Sequence, residues 1–210
     1  QVIGFDPTPK SIKWIDQQQL PSHFIFKTYS IGVISGEQKF HLPKNPDYVS
    51  GSALSHNNVS VDDVITVEMK CIEGIMAELG HEYIDVLKMD IEGAEYEVII
   101  DTPLEIFKKF RIMAIEFHSL DMIFNKNSFK IVEAVFDKLS NDFTVAHIHP
   151  NNSRPIINKN TINIPELLEF TFLRHDRVEL NDEKLQFPHA LDEQCAPHRP
   201  QRNLPKCWWS

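Results

Sequence analysis

The sequence predicts an α/β fold with a mainly parallel sheet, on three observations. Short, nearly continuous apolar runs alternate with amphipathic stretches of helical period, the pattern of buried strands covered by helices. A chain of 210 residues, 42% hydrophobic and 24% charged, can bury the core of one domain. Several apolar runs end on acids or histidines, at the strand ends where open parallel sheets bind ligands.

Val2 to Phe5 is the first strand, stopped by Asp6-Pro7-Thr8-Pro9. Proline there ends the strand and pre-sets a first helical turn. Ile12, Ile15 and Leu20 then give a helical face that Pro21 closes. Phe24, Phe26 and Ile31 to Ile34 read as a second strand, with a Ser35-Gly36 turn leading to Phe40. Pro43 to Asn58 is polar and turn-rich and reads as a long loop, a length usually reserved for function or mobility.

Val61 to Met69 is strand-like, and Cys71 to Leu79 is a short helix capped by Gly80. Ile84, Val86 and Leu87 form a strand that ends at Asp90. Gly93 then opens a helix carrying Tyr96, Val98, Ile99 and Ile100. Pro103 starts another helix, with Leu104, Ile106, Phe107 and Phe110 inward, before an apolar strand from Ile112 to Phe117. Phe129, Val132, Val135, Phe136 and Leu139 recur at helical spacing within Ser128 to Leu139. Phe143 to His149 and Leu167 to Leu173 close the domain, as an antiparallel hairpin at one sheet edge. Residues 1–175 thus read as one domain, and 176–210 as an irregular tail packed on it.

Twenty-one Lys and Arg against 30 Asp and Glu leave a net charge of −9. That balance excludes binding driven by a phosphate backbone, so the expected partner is a small molecule and no nucleic acid. Cys71, Cys195 and Cys207 are odd in number and lack C-x-x-C spacing, which points to neither a disulfide framework nor a thiolate zinc site. No apolar run approaches the roughly 18 residues of a membrane span. The compartment is open, with the cytoplasm as the default expectation. With no initiating Met, the chain is expected to begin inside a longer one. The sequence does not specify an oligomeric state.

Asp6 has two readings, an acceptor for ribose hydroxyls or an N-cap for the helix near Pro9. In Lys88-Met89-Asp90-Ile91-Glu92-Gly93-Ala94-Glu95, Asp90 is placed to face a cationic ligand and Glu92 to do acid–base work. Glu95 reads instead as a first-turn acid favoured by the helix dipole. Alternation puts Glu116 and His118 on the same side, where Glu116 can orient a general base. His147 and His149 share a strand face, and Asn151 and Asn152 suit either sugar-like hydroxyls or a tight turn. Two histidines without a third ligand favour substrate over metal, so no metal is expected.

The strings VIGFDPTPKSI, LKMDIEGAEYEVI, IEFH and HIHPNN, with FPHALD at 187–192, together resemble the FkbM-type S-adenosylmethionine-dependent methyltransferases over nearly the whole chain. The resemblance implies a Rossmann-like methyltransferase fold with a C-terminal antiparallel hairpin, 1–175 being the catalytic domain. It implies S-adenosylmethionine as cofactor and methyl transfer to a hydroxyl of a small molecule or glycan. Asp6 would hold the ribose, Ile31, Gly32, Val33 and Ser35 would lie near the adenine, and Asp90 would line the methionine side or the reacting centre. His118 is the candidate base, assisted by Glu116 and Asp90, with Glu92, His147, His149, Asn151 and Asn152 toward the substrate. The family's first strand and glycine-rich turn would precede Gln1, so the chain is expected to lack that strand. Two rivals stand beside this reading: a metal-dependent hydrolase using His147 and His149 with Asp90 or Glu92, and a non-catalytic binding module of the same fold.

Overall fold

A computed structural model describes residues 1–45, 50–54, 59–179 and 186–209. The chain divides into two units, Gln1–Glu82 with Ile91–Thr102, and Tyr83–Asp90 with Pro103–Ser210. Part of the loop expected over 43–58 lies outside the described residues.

In the first unit, β1 (Val2–Phe5) pairs in parallel with β2 (Phe24–Lys27), and α1 (Pro9–Ile15) lies between them in sequence. Pro9 occupies the first helical turn, where a missing N–H costs nothing. β3 (Ser30–Ile31), β4 (Gly36–Pro43) and β5 (Val59–Lys70) form a second sheet in the order β3-β5-β4. Its β3–β5 edge is parallel and its β4–β5 edge antiparallel. Phe40, Val67 and Met69 form its core, with Leu42, Ala53 and Ile65 against them. The single strand expected from Phe24 to Ile34 is therefore two, in different sheets. Polar Lys27 and Thr28 break the run, and the next residue, Tyr29, is buried with its ring 5.4 Å from that of Phe5.

Helix α2 (Ile72–Leu79) buries Ile72, Ile75 and Met76 and ends at Gly80, whose φ of 66° is the left-handed cap that glycine adopts without strain. Helix α3 (Glu95–Asp101) buries Tyr96, Val98 and Ile99.

The second unit is built on a four-stranded sheet of β6 (Ile84–Met89), β7 (Phe110–Phe117), β8 (Phe143–Pro150) and a late strand, Leu168–Arg174. Between the last two lies a hairpin of β9 (Ile156–Lys159) and β10 (Ile162–Pro165), which makes the late strand β11. This hairpin was not expected. Its two-residue loop begins at Asn160 with φ 58°, a conformation asparagine tolerates, although Asn-Thr is a weaker signal than Asn-Gly.

The sheet order is β6-β7-β11-β8. β6 and β7 are parallel, and β11 is antiparallel to both β7 and β8. The ladders are thus mixed, and the mainly parallel character expected from the sequence does not emerge. Antiparallel neighbours need only a short turn, whereas each parallel pair needs a crossover, and apolar content does not distinguish them. Two reversals through β11 leave β6, β7 and β8 running the same way, so their carboxyl ends lie along one edge.

α4 (Leu104–Phe107) is a single turn, and Phe110, expected on that helix, is instead the first residue of β7. α5 (Lys126–Ser140) starts two residues before the expected Ser128, because the Asn125 side chain accepts the Asn127 and Ser128 N–H groups. Its Phe136 packs on Phe117, Phe170 and Phe172 of the sheet. Among the described residues, no helix is long and apolar enough to cross a membrane.

Candidate active site

The register of the four-stranded sheet separates two faces. Met89, Met113, Ile115, Phe117, Phe170, Phe172 and Ile148 alternate onto the apolar one. On the other, Lys88 pairs with Ala114, Glu169 with both Glu116 and His149, and Thr171 with both Ala114 and His147. Period-two alternation then gathers Lys88, Glu116, Glu169, His147 and His149 on a single polar face.

At the carboxyl edge of that face the acids crowd. Glu116 is buried and accepts a 2.7 Å hydrogen bond from Asn151 Nδ2. Lys88 forms an ion pair with Glu169. Burial works against the Lys88 charge, yet Glu169 first, then Glu116 and Asp90, hold its pKa above the ordinary value. His118 Nε2 stands 3.8 Å from Asp90 Oδ1, with the imidazole only 15% exposed. Asp90 itself is pushed from 3.8 up to about 7, by desolvation first and by the charge and hydrogen bond of Glu116 next, against the pull of His118 and Lys88. Asp90, Glu116, His118 and Asn151, four of the expected residues, are thereby brought together.

A stability consequence follows from Asp90. The folded chain holds its proton where the unfolded chain has released it, so stability falls as pH rises from about 4 to about 7. The side chain is 42% exposed, and solvent screening leaves roughly 1–2 kcal/mol of that coupling. Asp90→Asn should therefore remove the slope and gain roughly that amount at pH 8. Chemical denaturation at pH 5 and pH 8 measures it, and an unaltered slope in the variant would show that Asp90 is not its source.

The other expected substrate residues are placed differently. His147 and His149 both meet Asp192, at 2.7 Å and 3.4 Å, so the carboxylate they share is Asp192 rather than Asp90. Burial opposes the Asp192 charge, but the His189 N–H and the two imidazoles outweigh it and hold its pKa below the usual carboxylate range. Asn152 is buried and accepts the Ala196 N–H while its Nδ2 donates to the Ala196, Arg199 and Pro200 carbonyls. It anchors the tail. Asp192, Glu169 and Lys88 were missed. Only the register reveals them, except that Asp192 belongs to the FPHALD string.

Cys195 and Cys207 are free thiols. Burial first, then Glu116 and Glu169, push Cys195 up, the opposite of an activated nucleophile.

In the first unit, Asp6 Oδ1 accepts the Thr8 N–H at 2.8 Å in an Asx-type turn, and the N-cap of α1 is Thr8, so Asp6 does not cap the helix. That bond uses one oxygen, and the second retains its capacity to accept a hydroxyl. Gly32 and Val33 line a pocket of about 130 Å³ together with Ile34, Gln38, Lys39, Ala53, Met69 and Glu97. A Cβ on Gly32 would come 3.0 Å from Met69 Sδ, so a larger residue there would require the Met69 side chain to shift. Ile31 is held in the β3–β5 pair, and the Ser35 hydroxyl accepts the Cys71 N–H at 3.2 Å. Neither residue, nor Asp6, lines that pocket.

Glu92 sits at φ 55°, a left-handed conformation uncommon outside glycine, and its carbonyl accepts the buried Ser52 hydroxyl at 3.0 Å. Glu95, expected as a first-turn acid, is fully buried and its Oε1 accepts the Ile91 and Gly93 N–H groups, closing the turn that Gly93 opens at φ 103°.

No curated protein and no solved structure matches the chain significantly. The family model for the methyltransferase FkbM domain matches residues 1–145, more than two thirds of the 210. The chain carries β6, β7 and the Asp90–Glu116–His118 cluster within that span, and it belongs to the FkbM methyltransferase family.

Proposed function

We propose that the protein is an S-adenosylmethionine-dependent O-methyltransferase acting on a hydroxyl of a small molecule or glycan. The observation that carries the reading is the Asp90–Glu116–His118 cluster at the carboxyl edge of β6 and β7, inside the family match. A doubly wound, Rossmann-like arrangement is consistent with β6, β7 and β8 running the same way and β11 entering antiparallel.

When bound, S-adenosylmethionine supplies an electrophilic methyl group on a sulfonium. The residues of the first unit suit its nucleoside half. Val33, Ile34 and Met69 offer apolar surface to a planar base, and Gln38 and Glu97 offer polar groups to its edge. Asp6, outside that pocket, is the carboxylate proposed for the ribose hydroxyls.

In the second unit, His118 Nε2 takes the acceptor's hydroxyl proton. Asp90, 3.8 Å away, stabilises the imidazolium once its carboxyl is ionised, above about pH 7, and Glu116 is held beside it by Asn151. A base within reach matters because methyl transfer needs an oxygen held in line and losing its proton together. Glu92 and Asn151 remain candidates for contact with the acceptor, Asn151 through an amide that here bonds Glu116 and the Ser153 N–H.

The direct test is ligand binding. S-adenosylhomocysteine at 100 times its Kd should stabilise the chain by about 2.7 kcal/mol, read as a rise in Tm. No shift at millimolar ligand would favour the non-catalytic module.

A further inference from the structure

Away from the proton-handling cluster, two imidazoles and a carboxylate converge at a place the proposed methyl transfer does not use. His147 and His149 are two residues apart on β8, so both rings project from the same face. Asp192 reaches them from the tail. Its Oδ1 lies 2.7 Å from His147 Nε2, and its Oδ2 lies 3.4 Å from His149 Nδ1. One donor atom from each of the three lies within 4.8 Å of the other two.

The arrangement is held from outside. Asp192, its side chain 8% exposed, accepts the His189 N–H at 2.8 Å, and the Phe187 ring stacks on His147 with centroids 5.7 Å apart. His149 Nδ1 is shielded from solvent and makes no hydrogen bond, the 3.4 Å approach of Asp192 Oδ2 being an ion-pair contact. A buried imidazole nitrogen without a partner is costly, and a metal ion is one group that would satisfy it.

We propose that His147, His149 and Asp192 bind a divalent transition-metal ion, zinc being the best fit, and that the ion pins the C-terminal tail to β8. Two imidazole nitrogens and one carboxylate oxygen are a common zinc donor set, and three protein ligands leave a fourth position for water. The two imidazoles disfavour magnesium and calcium, which take oxygen ligands. Binding replaces the His147–Asp192 hydrogen bond with two metal bonds and displaces any proton held there. The sequence offered only two of the three ligands, 45 residues short of the third.

The test uses the full chain, stripped by chelator and titrated with zinc chloride in a calorimeter. One equivalent should bind, and Asp192→Asn and His149→Ala should each weaken binding by about 100-fold or more. Asp192→Asn keeps an oxygen for His147 and His189, so the tail stays seated, and circular dichroism in chelator checks that the variant is folded. Zinc should also slow proteolysis of the tail in the parent and leave the rate in Asp192→Asn unchanged. A stripped parent that takes up no zinc, or uptake that neither substitution weakens, would overturn the site.

Discussion

Replacing His118 by alanine should lower methyl-transfer turnover by about 10²–10⁴-fold, the usual contribution of a positioned base. Affinity for S-adenosylhomocysteine should stay the same, since His118 is assigned to the proton and not to the cofactor. The two measurements together separate a lost base from a disturbed fold. His118 is 15% exposed at a strand end, and its ring faces Asp90, so truncation leaves no large void in the apolar core. Rate in the variant should regain pH dependence only from solvent hydroxide, rising without a plateau. Full turnover by His118→Ala at saturating cofactor would remove the residue from the mechanism.

Phe117→Ala should destabilise the second unit by about 3–5 kcal/mol, the range for emptying a buried aromatic site. Phe117 is fully buried and its ring lies 5.0 Å from Phe136, 5.6 Å from Phe170 and 6.5 Å from Phe172. It therefore joins β7, β11 and α5, and the rigid rings around it cannot collapse into the space. The effect should extend to chemistry, because Phe117, the last residue of β7, lies between Glu116 and His118 in sequence. Denaturant unfolding followed by circular dichroism measures the loss, and a change below about 1 kcal/mol would mean the cluster repacks freely.

Much of the second unit was legible because its signals are local. Phe129, Val132, Val135, Phe136 and Leu139 fall on one helical face whatever surrounds them, and α5 forms there. In the first unit, Gly80 likewise marks the end of α2 through its own backbone freedom. Asp90, Glu116 and His118 could be nominated as a group because each ends an apolar strand, and strands running one way align their ends. The Ile156–Pro165 hairpin was not legible. Its alternation is short, and its turn residues are only moderate formers of the required conformation.

What the sequence determined by itself is therefore most of the helices and longer strands, the family, and the chemical types at the strand ends. Those follow from periodicity, turn residues and motif strings, all of which act over a few residues. Which carboxylate serves which histidine was decided only by tertiary structure. Asp192 reaches His147 and His149 because the tail is anchored by Asn152, and Glu169 enters the polar face because β11 inserts between β7 and β8. Pairing between segments tens of residues apart depends on strand order and register, and a one-residue slip would turn every one of those side chains to the opposite face.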